Sequence, residues 1–211
     1  MNGTRHECRK IDLDFFTSAP IRIVSEVALP CTAESLFRCF EDAEAWSRWV
    51  GVIKNVEWTS PAPFQVGTTR NVEMPGGMVA YEEFLAWDEP RHMAFRFNQF
   101  TQKFLKAFGE DYKVSDLGDD SCRLTWTVGI EPRGPAALIT PLLKPLLARN
   151  LRQITKDLKK YMENEGRKFC TVQDNAGYQR CDFGHPPRRV ALGPLVRLAL
   201  QKNNSTERAR G

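Results

Sequence analysis

Arg70 and Glu83 are the residues whose type and placement best suit chemistry in this chain. Along residues 67–74, Thr68, Arg70, Val72 and Met74 share one face, while Asn71 and Glu73 share the other, as the two-residue period of a strand requires. Arg70 is therefore expected on the more apolar face, toward the interior. On the next apolar segment, Glu83 shares a face with Val79, Tyr81, Leu85 and Trp87. An interior Arg and Glu on neighbouring strands can pair. They can also grip the carboxylate or hydroxyl of a ligand, because guanidinium presents a bidentate fork. The plainer alternative is a salt bridge between two partly buried charges, or a Glu83 that faces water. Five tryptophans, Trp46, Trp49, Trp58, Trp87 and Trp126, suit the lining of a cavity for a flat or lipid-like molecule. Taken singly, each is better explained by core packing.

Other chemistries lack their residues. There are three histidines, His6, His92 and His185, and His92 alternates with Ala94, Arg96 and Asn98 on what reads as the solvent side. No Ser or Cys nucleophile with a paired base is visible. Neither an H-E-x-x-H motif nor a phosphate loop occurs. Gly76-Gly77 and Asp119-Asp120 read as turns. The six cysteines include no C-x-x-C pair. The spacing of Cys170, Cys181 and His185 matches no common zinc pattern, so no metal or cofactor is expected. The first eight residues contain no apolar signal core. A reducing, cytoplasmic setting with free thiols is expected.

These residues need a scaffold, and the hydrophobic pattern supplies one. Residues 21–29 are β-branched and partly alternating, which predicts a strand. Pro30 ends it, and Thr32 is placed to cap a helix carrying Leu36, Phe37 and Phe40. A second short helix is expected over 43–49. The period then becomes two over 52–58, 67–74, 78–87, 92–99, 111–117 and 122–130, with Gly, Pro and Asp clusters between. Short links imply antiparallel hairpins. Across 122–130, Cys122, Leu124, Trp126, Val128 and Ile130 face one way, and Arg123, Thr125, Thr127 and Gly129 the other. This predicts a sheet with one wet side. From 136 to 163, Leu143, Leu147, Leu151, Ile154, Leu158 and Tyr161 recur at helical spacing.

The expected fold class is α+β: a curved antiparallel sheet of about seven strands wrapped on a long C-terminal helix, with two short helices after the first strand. Such a sheet cannot bury its inner face alone, so the long helix must cover it. The gap between them suits a small apolar ligand.

Charge divides the chain of 211 residues. Its net charge is +4, yet residues 167–211 carry nine Lys/Arg and three Asp/Glu, leaving residues 1–166 at −2. A basic face on a folded unit is thus absent, and nucleic acid is not an expected partner. The expected organisation is a flexible lead-in over 1–19, a ligand-binding domain over 20–165 and a basic, largely disordered tail over 166–211. Within the tail, VALGPLVRLAL is apolar but interrupted by Gly193-Pro194. Docking on its own domain, or contact with a membrane surface or partner, remain alternatives for it. No run of apolar residues is long enough to span a bilayer.

Four segments in order resemble the START/SRPBCC helix-grip superfamily, in its polyketide cyclase/dehydrase-like branch. They are VALPCTAESLFRCFEDAEAWSRWVGVIKNVEW, VGTTRNVEM, EEFLAWDEPRHMAFRF and GDDSCRLTWTVGIEPRG. The resemblance covers about residues 21–163 and implies the helix-grip fold. It leaves activity open, since members include cyclases, lipid or hormone carriers, ring-hydroxylase subunits and chaperone activators. In cyclase-like members, Arg, Tyr and acidic groups in the cavity orient an enolisable chain. Here that makes Arg70, Glu83, Tyr81 and Tyr112 the candidate catalytic groups. Candidate ligand-lining residues are Trp46, Trp49, Arg70, Val72, Trp87, Phe95, Trp126, Leu147, Leu151 and Ile154. The leading expectation is a carrier or sensor for one small hydrophobic molecule. A metal-free cyclase, dehydratase or aromatase is the first alternative, and an adaptor acting through the tail the second. The oligomeric state is left open.

Overall fold

The computed structural model describes residues 4–169. The elements are β1 (His6–Glu7), α1 (Phe15–Ser18), β2 (Ile21–Leu29), α2 (Ala33–Glu41), α3 (Ala43–Trp49), β3 (Asn55–Trp58), β4 (Thr69–Met74), β5 (Met78–Asp88), β6 (His92–Phe100), β7 (Leu105–Gly118), β8 (Ser121–Pro132) and α4 (Ala136–Phe169). One antiparallel sheet runs β2-β8-β7-β6-β5-β4-β3, and β1 adds to β6. The helices α2 and α3 follow the first long strand, as the pattern predicted. Thr32 caps α2 by accepting from the Ser35 amide at 3.2 Å, and Asp42 caps α3 by accepting from the Glu44 amide at 2.9 Å.

Two differences from the sequence reading matter. The first is β7, expected only over 111–117, which begins at Leu105. Its first half, Leu-Lys-Ala-Phe-Gly-Glu, has no β-branched residue, and a bulge between Leu105 and Ala107 breaks its alternation. Pairing with β8 from Leu105↔Pro132 onward holds it extended. The ladder overrides the weak local propensity.

The second difference concerns residues 4–19, expected to be a loose lead-in. They pack on the outer face of the sheet, where Ile11, Phe15 and Phe16 are buried. The outer face is therefore not wholly wet. It offers small residues as a landing site: Ala107 under Ile11 and Phe15, with Ala86 and Ala94 under Phe16. Gly109 and Gly129 permit the closest approach. A Cβ on Gly109 would lie 2.8 Å from Ile11 Cδ1 and from the Phe95 carbonyl oxygen, and one on Gly129 would lie 2.8 Å from Phe15 Cε1. Arg96 fastens the segment by donating to the Ile11 carbonyl at 2.8 Å.

The inner face holds the main core. Cys122, Leu124, Trp126, Val128 and Ile130 all point into it, as their alternation predicted. The long helix α4 packs chiefly on β2 and touches β8 and α3. Ser25 on β2 and Thr155 on α4, both buried, meet at 3.1 Å and satisfy each other in that contact. The expected tail beyond residue 169, including VALGPLVRLAL and the Cys170, Cys181 and His185 set, lies outside the described residues.

Candidate ligand site between the sheet and the long helix

Arg70 is on the inner face and almost fully buried at 1% exposure. Its partner is Glu82, not the expected Glu83: Arg70 Nε donates to Glu82 Oε2 at 2.6 Å. The β4–β5 register sets them directly opposite each other. The difference has a local cause. Counting in twos puts Glu83 on the Trp87 face, and a bulge between Phe84 and Ala86 flips the faces. Met78, Ala80, Glu82 and Phe84 point inward, and after the bulge Trp87 does so as well, packing against Phe84 with ring centroids 5.0 Å apart. Glu83 faces outward. There it accepts from Arg96 Nη2 at 2.9 Å and Asn98 Nδ2 at 2.7 Å. Its partial burial works to raise the carboxyl pKa, but these two hydrogen bonds outweigh it and hold the group below its ordinary range.

The Arg70 guanidinium carbon lies 4.3 Å from the centre of the Trp46 ring, 4.8 Å from Phe95, 5.1 Å from Phe84 and 5.3 Å from Trp58. Ring faces carry negative charge density, so this cage holds a cation with little water. Arg70 Nη1 is buried without a hydrogen-bond acceptor. Burial pushes the Glu82 carboxyl up, against the pull of Arg70.

A second acidic group stands beside this pair. Glu110 on β7 accepts a hydrogen bond from the Tyr112 hydroxyl. Burial raises the Glu110 carboxyl to about 7; the Tyr112 hydrogen bond opposes the rise, Glu82 adds to it, and Arg70 opposes it. The Trp126 indole N–H lies close enough to favour the charged carboxylate, although it makes no hydrogen bond of ordinary geometry. Burial, followed by the Glu110 charge, raises Tyr112 far above the usual phenol range. A carboxyl poised near neutrality, joined to a phenol, can hold or release a proton at working pH.

The other predicted residues divide between the two faces. Trp46, Trp49, Val72, Phe95, Trp126 and Leu151 are buried in the inner core, and Trp87, Leu147 and Ile154 pack against it with partial exposure. Tyr112 is inside, stacked on Trp126 at 4.7 Å. Tyr81 is not, since Arg5 of the N-terminal segment stacks on its ring at 4.2 Å, and it shares the outer groove with Asn98 and Gln99. His92 is outside as expected, bonded to Asp111 at 2.6 Å. Two site residues, Glu82 and Glu110, escaped the sequence reading. Counting back by two from Tyr112 reaches Glu110, but that stretch did not read as a strand.

Along α4 the fit against the sheet changes. Leu151, Leu158 and Met162 in its middle and later turns are buried, whereas Leu143, Leu146, Leu147 and Ala148 before them keep partial exposure. Phe108 and Glu110 on the inner face of β7 also keep partial exposure. Glu110 is surrounded deeply enough for desolvation to dominate its titration, yet it retains accessible surface. No group of three or more His, Cys, Asp or Glu side chains among the described residues is placed to hold a metal.

A curved antiparallel sheet closed by one long helix, with a polar cluster in the grip, defines the helix-grip fold. The chain belongs to the family described as polyketide cyclase/dehydrase and lipid transport, whose model matches residues 20–163. It is 42% identical over 158 residues to an uncharacterized protein of Mycobacterium tuberculosis, spanning 75% of this chain and 94% of that one. A START superfamily protein from Mycobacterium smegmatis superposes with a TM-score of 0.58 at 20% identity, covering 69% of this chain and 99% of its own. A putative protein from the dynemicin biosynthetic locus superposes at 0.52 and 14% identity, covering 68% of this chain and 48% of its own. At these identities the structural likenesses speak for the fold. Family and fold together support a hydrophobic ligand-binding or polyketide cyclase-like role.

Proposed function

We propose that this protein carries or senses one small hydrophobic molecule, lipid-like or polyketide-like, held between the sheet and the earlier turns of α4. The supporting observation is the change in fit along the helix. Apolar side chains on α4 (Leu147, Ala148) and on β7 (Phe108) retain accessible surface while belonging to or packing on the main core. Leaving such surface unburied costs about 25 cal/mol per Å², and an apolar ligand recovers that cost. The test uses the full chain. Native mass spectrometry after gentle purification looks for a retained ligand, and a fluorescent naphthalene probe is titrated and then displaced with lipids. The reading fails if no ligand is retained and no probe is taken up.

A second reading, a cyclase, dehydratase or aromatase working by acid–base catalysis, is favoured by the Tyr112–Glu110 hydrogen bond and by a carboxyl near neutrality. Of the groups first considered for it, Arg70 and Tyr112 remain on the inner face, and Glu110 replaces Glu83. Glu110→Gln and Tyr112→Phe should each abolish turnover of a polyketide-like substrate while leaving the fold intact. Unchanged turnover in both removes this reading. An adaptor role through the tail depends on residues outside those described.

A further inference from the structure

We infer that Glu110 is the polar contact for the bound molecule, and that this molecule presents an uncharged oxygen, a hydroxyl or a carbonyl, instead of a carboxylate. The inference rests on the ligand-binding reading above and narrows it.

Two observations carry it. The first is access. Arg70 is sealed among aromatic rings at 1% exposure, and Glu82 is 4% exposed, so neither presents a free edge to a ligand. Glu110 alone of the three charged groups keeps accessible surface, on the same strand face as Phe108. The second is charge balance. The cluster contains one cation, Arg70, and two carboxyls, Glu82 and Glu110, with Glu82 already holding Arg70 at 2.6 Å. The charged neighbours that act on Glu110 are Glu82 and Arg70, while α4 turns Arg149, Arg152, Lys156, Lys159 and Lys160 to the exterior. Where Glu110 is ionised, a ligand carboxylate would be a third negative group facing one cation already engaged. Like charges in a poorly solvated site disfavour one another strongly. An uncharged oxygen meets no such penalty. A hydroxyl can accept from protonated Glu110 or donate to its ionised form, whereas a carbonyl needs the protonated form.

A matched naphthalene series tests this on the full chain: 2-naphthol, 2-acetylnaphthalene and 2-naphthoate, titrated at pH 6 and pH 8. At pH 8, the naphthol should bind at least about tenfold tighter than the naphthoate, the equivalent of one pKa unit of charge repulsion. Affinity for the acetyl compound should fall from pH 6 to pH 8, while the naphthol holds steady. In Glu110→Gln, the naphthoate penalty should shrink and the pH dependence of the acetyl compound should disappear. The inference is overturned if naphthoate binds as tightly as naphthol to the unaltered chain at pH 8, a result that needs no variant to fold. It is also overturned if folded Glu110→Gln keeps the original selectivity. If none of the three binds, the ligand-binding reading falls with it; if all bind without selectivity, only the present inference falls.

Discussion

Replacing Glu110 by Gln tests the electrostatics of the interior without any ligand. The folded protein raises the Glu110 carboxyl from 4.5 to about 7, with burial as the main cause. A group that holds its proton more tightly when folded stabilises the fold where it is protonated. That contribution is complete below the unfolded pKa and is lost as pH climbs through about 7. A shift of this size corresponds to roughly 3 kcal/mol at about 1.36 kcal/mol per unit; the partial exposure of Glu110 reduces this to about 2 kcal/mol through solvent screening. The unaltered chain should therefore lose about that much unfolding free energy between pH 5 and pH 8.5 on account of Glu110. Glu110→Gln keeps the shape and an oxygen to accept from Tyr112, but has no proton to lose. Urea unfolding of both proteins at half-unit pH steps gives the difference curve, in which contributions common to both proteins cancel. The difference should be flat below pH 5 and should rise through 7 in favour of the variant. Parallel curves over the whole range would refute the claim that a desolvated carboxyl at position 110 opposes the fold at high pH.

Two further outcomes follow from packing. Arg70→Ala should destabilise by about 3–5 kcal/mol, because Glu82 is left as an uncompensated buried charge, while Arg70→Met combined with Glu82→Leu should recover most of the loss; chemical denaturation of the single and double variants decides. Gly109→Ala should cost about 1–3 kcal/mol by overpacking, since its Cβ would meet the Phe95 carbonyl oxygen at 2.8 Å and backbone cannot retreat as a side-chain tip can; a thermal melt matching the unaltered chain would contradict that contact.

Much of the scaffold is written in local pattern. The Thr32 cap, the alternation from Cys122 to Ile130 and the helical spacing from Leu143 to Tyr161 each depend on neighbours in sequence, and each reappears in the fold. Features that depend on long-range pairing were hidden. The bulge at Leu85 is invisible in a count of apolar residues, yet it decides that Glu82 and not Glu83 meets Arg70. The first half of β7 is held by its partner strand, so Glu110 was passed over as part of a link. The N-terminal segment reads as polar because its buried apolar residues, Cys8, Ile11, Phe15 and Phe16, form no periodic run. Their counterpart is a set of small residues, Ala86, Ala94, Ala107, Gly109 and Gly129, scattered over four strands. Only the assembled sheet brings those together.

How the two faces are filled limits where chemistry can occur. The outer face is covered by the N-terminal segment and tied down by Arg96, which joins Glu83, Asn98 and the Ile11 carbonyl. Toward β4 and β5 the inner face is packed with rings around Arg70, and its Nη1 has no accessible surface. Accessible surface on the inner side persists at Phe108 and Glu110. In the proposed reading, a molecule held there would touch Glu110 and sense Arg70 and Glu82 through the field they exert on that carboxyl. Arg70 would then be a positioning and charge-setting residue. For carrier and enzyme alike, the proton in question would be the carboxyl proton of Glu110, beside the hydrogen bond that Tyr112 donates to it.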